Sequence, residues 1–254
     1  RMALKTPAEY VDSLRELNIR AYVNGERVDS VADHQSIAPH INTVAKTYEL
    51  AHDPEHRDVM TAESHLTGER IHRYTHIFHS ADDLVKKIQM LRLLGQTTGT
   101  SFQRCVGLDA LNALYAITYE IDQGEGTTYH ERFRDYLTGV QRADLMLAGA
   151  MTDPKGHRAK RPSQQEDPDQ FVRVVERRED GVVIRGAKLH NTGGINSHEI
   201  LVMPGTGLSE EEADYAVSCA VPANADGVLF IFGRQSNDNR KLEGGCDIGY
   251  PRFG

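Results

Sequence analysis

The sequence has 254 residues, 39% of them hydrophobic, enough for one large core or two medium ones. Lys and Arg number 29 against 37 Asp and Glu, a formal net charge of −8. No basic run suited to a phosphate backbone is present, which excludes nucleic acid as a partner, and no apolar run reaches the roughly 18–20 residues of a membrane span.

No signal-like segment opens the chain, and Cys105, Cys219 and Cys246 show no tight pairing, which points to a reducing cytoplasm. Thr6-Pro7-Ala8-Glu9 reads as a capping box with proline at the first helical position, so a helix starts there with Tyr10, Leu14 and Leu17 as its apolar face. Asn24-Gly25, between Tyr22-Val23 and Arg27-Val28, signals a hairpin. A helical pattern from Asn42 to Leu50 is stopped by Asp53-Pro54, and residues 65–80 read as polar loop or short strands. The histidines between His52 and His79 are accordingly expected in solvent. Ser80 with Asp83 begins the next helix, where Leu84, Ile88, Leu91 and Leu94 fall at helical spacing and Gly95 breaks or bends it. A longer helix is predicted from about Phe102 to Asp122, with Val106, Leu108, Leu111, Tyr115 and Thr118 inward, and another from Tyr129 to Leu147.

Composition shifts near Met151, where Met151-Thr-Asp-Pro-Lys-Gly-His-Arg158 is a loop rich in breakers and cations. Strands are predicted at residues 171–175 and 181–187, joined by a hairpin through Glu179-Asp180-Gly181, and again at 200–203, 215–221 and 227–232. Regular short strands with turn signals between them suggest a small β-barrel or sandwich. The expected class is therefore α+β, with a helical domain over 1–145 and a β domain over 146–254.

Gly95-Gln-Thr-Thr-Gly-Thr-Ser-Phe-Gln-Arg-Cys-Val-Gly107 is polar where a helical core would be apolar. In a continuous helix Ser101 and Cys105 would share a face at i and i+4. Spacing alone leaves Cys105 open between a metal ligand and a buried small apolar residue. Lys188-Leu-His-Asn-Thr-Gly-Gly-Ile-Asn-Ser197 would let backbone approach a flat ligand, with Thr192 or Asn196 as donors to ring heteroatoms; a plain polar loop is the alternative. Lys155 and Arg158 offer contacts for a diphosphate or a flavin edge, or lie in a solvated turn. A GxGxxG fingerprint and a P-loop are both absent.

Five segments carry a resemblance: Leu91-Arg-Leu-Leu-Gly-Gln-Thr97, Phe102-Gln-Arg-Cys-Val-Gly-Leu-Asp109, Thr118-Tyr-Glu-Ile-Asp-Gln123, Gly149-Ala-Met-Thr-Asp-Pro-Lys-Gly156 and Gly193-Gly-Ile-Asn-Ser-His-Glu199. Through them the chain resembles the 4-hydroxybutyryl-CoA dehydratase/vinylacetyl-CoA Δ-isomerase family, among the 4-hydroxyphenylacetate 3-hydroxylase flavoproteins. The resemblance implies an acyl-CoA-dehydrogenase-like fold: N-terminal helices, a middle β domain, and a C-terminal helical bundle that this chain lacks. It implies assembly into a homotetramer and completion of the site by that C-terminal half or an equivalent chain.

The implied cofactors are FAD and a [4Fe-4S] cluster. By resemblance FAD is held by the Met151–Arg158 loop, with Thr152, Lys155, Gly156 and Arg158, and by His190, Asn191 and Thr192. Gln103 and Thr192 line the implied active site. Cys105 and the position of Ser101 supply two cluster ligands, although Ser101 stands where the family has cysteine. The implied reaction dehydrates 4-hydroxybutyryl-CoA to crotonyl-CoA. Its C3 hydrogen is not acidic, since the thioester activates only C2, so the family joins flavin chemistry to a Lewis-acid cluster at the departing hydroxide. Serine at 101 keeps open a cluster-free relative, acting as an acyl-CoA isomerase or an FADH2-dependent phenolic monooxygenase. The implied base and cluster ligands of a C-terminal half leave a non-catalytic fragment or subunit as a further alternative.

Overall fold

The computed structural model describes residues 4–100 and 102–233, and backbone pairing at 241–242 and 245–246. Thr6 caps α1 (Pro7–Leu17): its hydroxyl accepts from the Glu9 amide while the Glu9 carboxylate accepts from Thr6 N. Tyr10 and Leu14 are buried, as the helical spacing predicts. The hairpin of β1 (Ala21–Val23) and β2 (Glu26–Val28) turns on Asn24 and Gly25, both left-handed at φ 52° and 87°. Helix α2 (Ala38–His52) begins four residues before the predicted start, with Pro39 in its first turn, and ends where Pro54 forces Asp53 into extended backbone.

After a short helix α3 (Arg57–Met60), strands β3 (Thr61–Glu63) and β4 (Arg70–His72) pair antiparallel and run into a 3-10 turn at Arg73–Thr75. The histidines here depart from the solvated expectation, since His72 and His76 are buried. His72 Nε2 lies 3.1 Å from Thr47 O of α2, and His76 Nε2 lies 2.9 Å from Asp83 Oδ1. A polar neighbour, rather than water, meets one nitrogen of each ring, while the Nδ1 of each is buried without a hydrogen-bond partner. Sequence polarity does not distinguish a solvated ring from a buried one.

Helix α4 (Ala81–Thr98) starts at the predicted Ser80–Asp83 box but runs straight through Gly95; left-handed Gly99, at φ 79°, ends it. Leu84 and Ile88, expected inward, are 51% and 63% exposed, and Met90, Leu94 and Thr98 form the buried face. Helical period locates a stripe without saying what covers it. Helix α5 (Cys105–Glu125) starts three residues later than predicted, so Phe102 to Arg104 precede it. The reading that Ser101 and Cys105 share a helix face falls on Ser101, which lies outside the described residues. Helix α6 (Tyr129–Arg142) stops before Leu147, which instead opens strand β5 (Leu147–Ala150).

The remaining strands are β6 (Arg173–Arg178), β7 (Gly181–Arg185), β8 (Glu199–Val202), β9 (Cys219–Pro222) and β10 (Phe230–Phe232). The predicted β6–β7 hairpin is present, with a register shift between Val174 and Glu176. Of the barrel or sandwich expected from strand spacing, no closed sheet appears among these strands. Among the described residues they form separate small sheets, β5-β8-β9, β6-β7 and β10-β1-β2, and none closes on itself. Strand β10 runs parallel to β1, pairing Ala21 with Phe230. One apolar cluster joins Tyr10, Leu14, Ile37 and Tyr48 to Met146, Ile195 and Ala223, so both halves of the chain share a core.

Candidate functional site

Two glycines seat α5 on β5. A Cβ on Gly107 would lie 2.3 Å from Leu147 O, and one on Gly149 would lie 2.3 Å from Val106 Cγ1. The missing side chains let the helix approach the strand backbone directly, and this fixes where Gln103, Arg104 and Cys105 stand.

Arg104 is buried between the rings of Tyr48 and Tyr74, its guanidinium 4.7 and 4.6 Å from their centroids. It donates to Thr47 Oγ1 at 2.9 Å and to Leu145 O at 3.4 Å. Burial raises the Asp144 carboxyl above its ordinary value, while the nearby Arg104 charge and the Lys5 amide oppose that rise. Gln103, also buried, donates from Nε2 to His40 Nδ1 at 3.0 Å. An amide nitrogen can only donate, so this ring nitrogen accepts and His40 carries its proton on Nε2.

Gly193 has left-handed backbone at φ +79°, and a Cβ there would sit 2.5 Å from Gln103 O. The segment containing Thr192 is thus pressed against Gln103. On its other side Leu189 N donates to Thr152 O at 2.8 Å, which lays the start of the 151–158 loop along residues 188–190. The structure therefore brings Gln103, Asn191, Thr192, His190 and Thr152 into one neighbourhood. Lys155, Gly156 and Arg158 continue outward on an exposed loop. Gly156 is left-handed at φ +48°, where a Cβ would fall 1.9 Å from Gln170 Nε2.

Asn196 does not face a ligand, contrary to the sequence reading. It is fully buried, with Nδ2 3.3 Å from Tyr10 Oη and 3.5 Å from His40 O, and its own carbonyl accepts from Tyr10 Oη at 2.7 Å. Ser13 and His198 resemble a nucleophile–base pair at 2.8 Å. The tautomer forbids it: His198 Nδ1 accepts from Met146 N, so Nε2 holds the proton, and Ser13 donates its own to Tyr10 O. Burial, with the charges of Lys5 and Arg104, holds the His198 pKa down to about 3.

Cofactor fit divides by group. Hydroxyl, amide and backbone donors at 152 and 190–192 and the cations Lys155 and Arg158 suit a flat ring with a diphosphate, and so suit FAD. The iron–sulfur donor set is not assembled among the described residues, where no group of three His, Cys, Asp or Glu side chains converges on a metal position. Cys105 is buried, with Sγ 3.5 Å from Phe102 O, and burial, aided by the nearby Asp109 charge, pushes its thiol up to about 11. One thiol is a quarter of the donor set such a cluster takes, so the described residues do not by themselves make that site.

His40, Arg104, Tyr48, Tyr74 and His198 escaped the sequence reading. Arg104 and His198 carried a signal, each standing in a motif already singled out.

The chain is similar to known proteins along most of its length. A 4-hydroxybutyryl-CoA dehydratase/vinylacetyl-CoA-Δ-isomerase of Clostridium aminobutyricum is 54% identical over 253 residues, 99% of this chain and 52% of that protein. A 4-hydroxyphenylacetate 3-monooxygenase oxygenase component of Thermus thermophilus is 30% identical over 89% of this chain and 46% of that protein. The chain thus spans about half the length of the curated relatives it matches. Among solved structures, an oxygen-tolerant archaeal 4-hydroxybutyryl-CoA dehydratase from N. maritimus matches at TM-score 0.89 and 48% identity, over 92% of this chain and 46% of that one. The oxygenase component HpaB of 4-hydroxyphenylacetate 3-monooxygenase, complexed with FAD, matches at TM-score 0.76 and 29% identity, over 92% of this chain and 48% of that one. Residues 6–254 match the family described as 4-hydroxyphenylacetate 3-hydroxylase N terminal, and the chain belongs to that family.

Proposed function

We propose that this chain forms the flavin-cradling part of an acyl-CoA dehydratase that converts 4-hydroxybutyryl-CoA to crotonyl-CoA and shifts the double bond of vinylacetyl-CoA. The observation that carries this reading is 54% identity to a dehydratase along 99% of the chain, against 30% to a phenol-hydroxylating relative. We place it in an acyl-CoA-dehydrogenase-like arrangement, working in a homotetramer with a segment equivalent to the other half of the longer relatives.

Within that frame each residue has a task. FAD, when bound, supplies the electron-accepting chemistry that lets an unactivated C3–H be removed. The Gln103 amide, oriented by His40, and the Thr192 hydroxyl orient the substrate thioester. Lys155 and Arg158 meet the cofactor diphosphate. The buried layer of Tyr48, Arg104 and Tyr74 keeps water from the wall behind Gln103. Cys105 is proposed as a single cluster ligand whose remaining donors come from outside the described residues.

The test uses the whole protein, purified without oxygen. Bound FAD, iron content and crotonyl-CoA formation from 4-hydroxybutyryl-CoA are read from one sample, and all three are expected. A flavoprotein with no iron and no turnover of the thioester removes the dehydratase reading. Oxygen consumption with reduced flavin and a phenol, and none with the CoA ester, would establish the monooxygenase reading that the HpaB likeness supports.

A further inference from the structure

The two segments proposed to cradle FAD are joined through one buried cation. Lys188 Nζ donates to Asp153 Oδ1 at 2.6 Å, to Met203 O at 2.7 Å and to Met151 O at 3.1 Å. An ammonium has three protons, and all three are used. The Lys188 and Asp153 side chains are only 8% and 10% exposed, so this is a buried pair rather than a surface ion pair.

The acceptors lie where the fold needs a joint. Strands β5 and β8 run parallel, and Ala150 is opposite Val202. Met151 and Met203 are the residues just past those partners, where both strands release their last carbonyls. Lys188 ties the two ends together and takes up the first charge of the 151–158 loop. One residue later, Leu189 N closes onto Thr152 O. Gly205 completes the packing, since a Cβ there would lie 2.5 Å from Met151 O and 2.9 Å from Asp153 Oδ2.

We infer that Lys188 is the positioning residue of the cofactor cradle, its ammonium holding the 151–158 loop and the 188–192 segment in one fixed relation. The inference rests on the flavin reading above. Asp153 neutralises the cation, so Lys188 acts by geometry and leaves Lys155 and Arg158 as the charges offered to an anionic ligand. Three converging acceptors suit a tetrahedral ammonium. Removing the ammonium would strand a buried carboxylate and two carbonyls, and the loop would leave the strand ends to hydrate them.

The experiment compares the whole protein with Lys188→Met, which keeps the aliphatic length without the donors, and with Asp153→Asn, a milder change that retains an acceptor oxygen. Two readouts are taken besides turnover. The first is trypsin cleavage at Lys155, Arg158 and Lys160 without FAD, with cleavage at Arg177–Arg178 as the internal control. The second is the FAD dissociation constant, with the visible band of the bound flavin. Lys188→Met is expected to speed cleavage in the 155–161 loop at least fivefold over the control, to weaken FAD at least tenfold and to alter the flavin band. Asp153→Asn is expected to fall between, and stands in if the methionine variant does not fold. Equal loop cleavage in variant and parent overturns the inference whether or not FAD binds. Faster cleavage with unchanged FAD affinity in a flavin-binding parent overturns the positioning role. A parent that binds no FAD overturns the flavin reading, and with it the role assigned to Lys188 in a flavin cradle.

Discussion

At the scale of single residues, the interior behind the site is built from groups that ordinarily prefer water. Arg104 is tolerated because two tyrosine faces and two oxygen acceptors replace its hydration. His198 is tolerated by staying neutral. Its folded pKa of about 3 lies below the roughly 6.5 of an unfolded histidine, so between those values the unfolded chain binds the extra proton. Stability from this group is therefore complete above about pH 6.5 and falls as pH drops toward 3, by up to about 1.4 kcal/mol per unit. Asp83 adds to the same trend. Although burial works against ionisation, bonds from His79 N, Ser80 and His76 hold its carboxyl at about 2, so its contribution is lost as pH falls below the ordinary carboxylate range. Denaturation midpoints measured from pH 7 to 3 should show a shallower acid slope in His198→Asn, whose carbonyl can still accept from Met146 N. An identical slope in variant and parent would show that His198 titrates normally. Of these residues the sequence showed almost nothing. A histidine in a polar segment reads the same whether water or a carbonyl faces it, which is why His72 and His76 were expected in solvent and lie in the core.

Among the elements, local signals were legible and distant ones were not. The boxes at Thr6 and Ser80 and the Asn24-Gly25 turn were readable because every atom involved lies within four residues. The outward placement of Leu84 and Ile88, and the separate small sheets, depend on what packs from elsewhere in the chain. The seat of α5 on β5 is of this second kind, because Gly107 and Gly149 look like ordinary glycines until the two elements meet. Gly107→Ala should destabilise the fold by about 1–3 kcal/mol through overpacking against Leu147 O. Gly139→Ala, in α6 with open space at its Cβ, should instead stabilise by up to about 1 kcal/mol through helix propensity. Thermal unfolding of the pair checks both signs. A Gly107→Ala protein that melts with the parent would mean that helix and strand stand farther apart.

Across the whole molecule, the helical and strand-rich parts are welded rather than strung together. Tyr10 of the first helix donates to Asn196 O near the last third of the chain, in a cluster that also takes in Met146 and Ala223. Tyr10→Phe removes both bonds with Asn196 and should cost about 1–3 kcal/mol, the usual value of two hydrogen bonds, and leave unfolding as a single transition. Calorimetry resolving two transitions in the parent would show that the parts fold independently. The candidate site follows the same logic. Its motifs were legible one by one, whereas the contact of Gly193 with Gln103 is a property of the assembled molecule.

The parallel pairing of β1 with β10 sets a timetable for synthesis. Ala21 meets Phe230, about 200 residues further on, and a ribosome adding about 5–20 residues per second needs about 10–40 s to deliver it. Through that interval the first hairpin can close on itself, yet one edge of β1 stays unpaired, the kind of edge on which nascent chains stick to one another. A strand made about 200 residues later is thus the one that shields one of the first, so slow translation or crowded polysomes should lower the yield of folded protein more than they slow its folding.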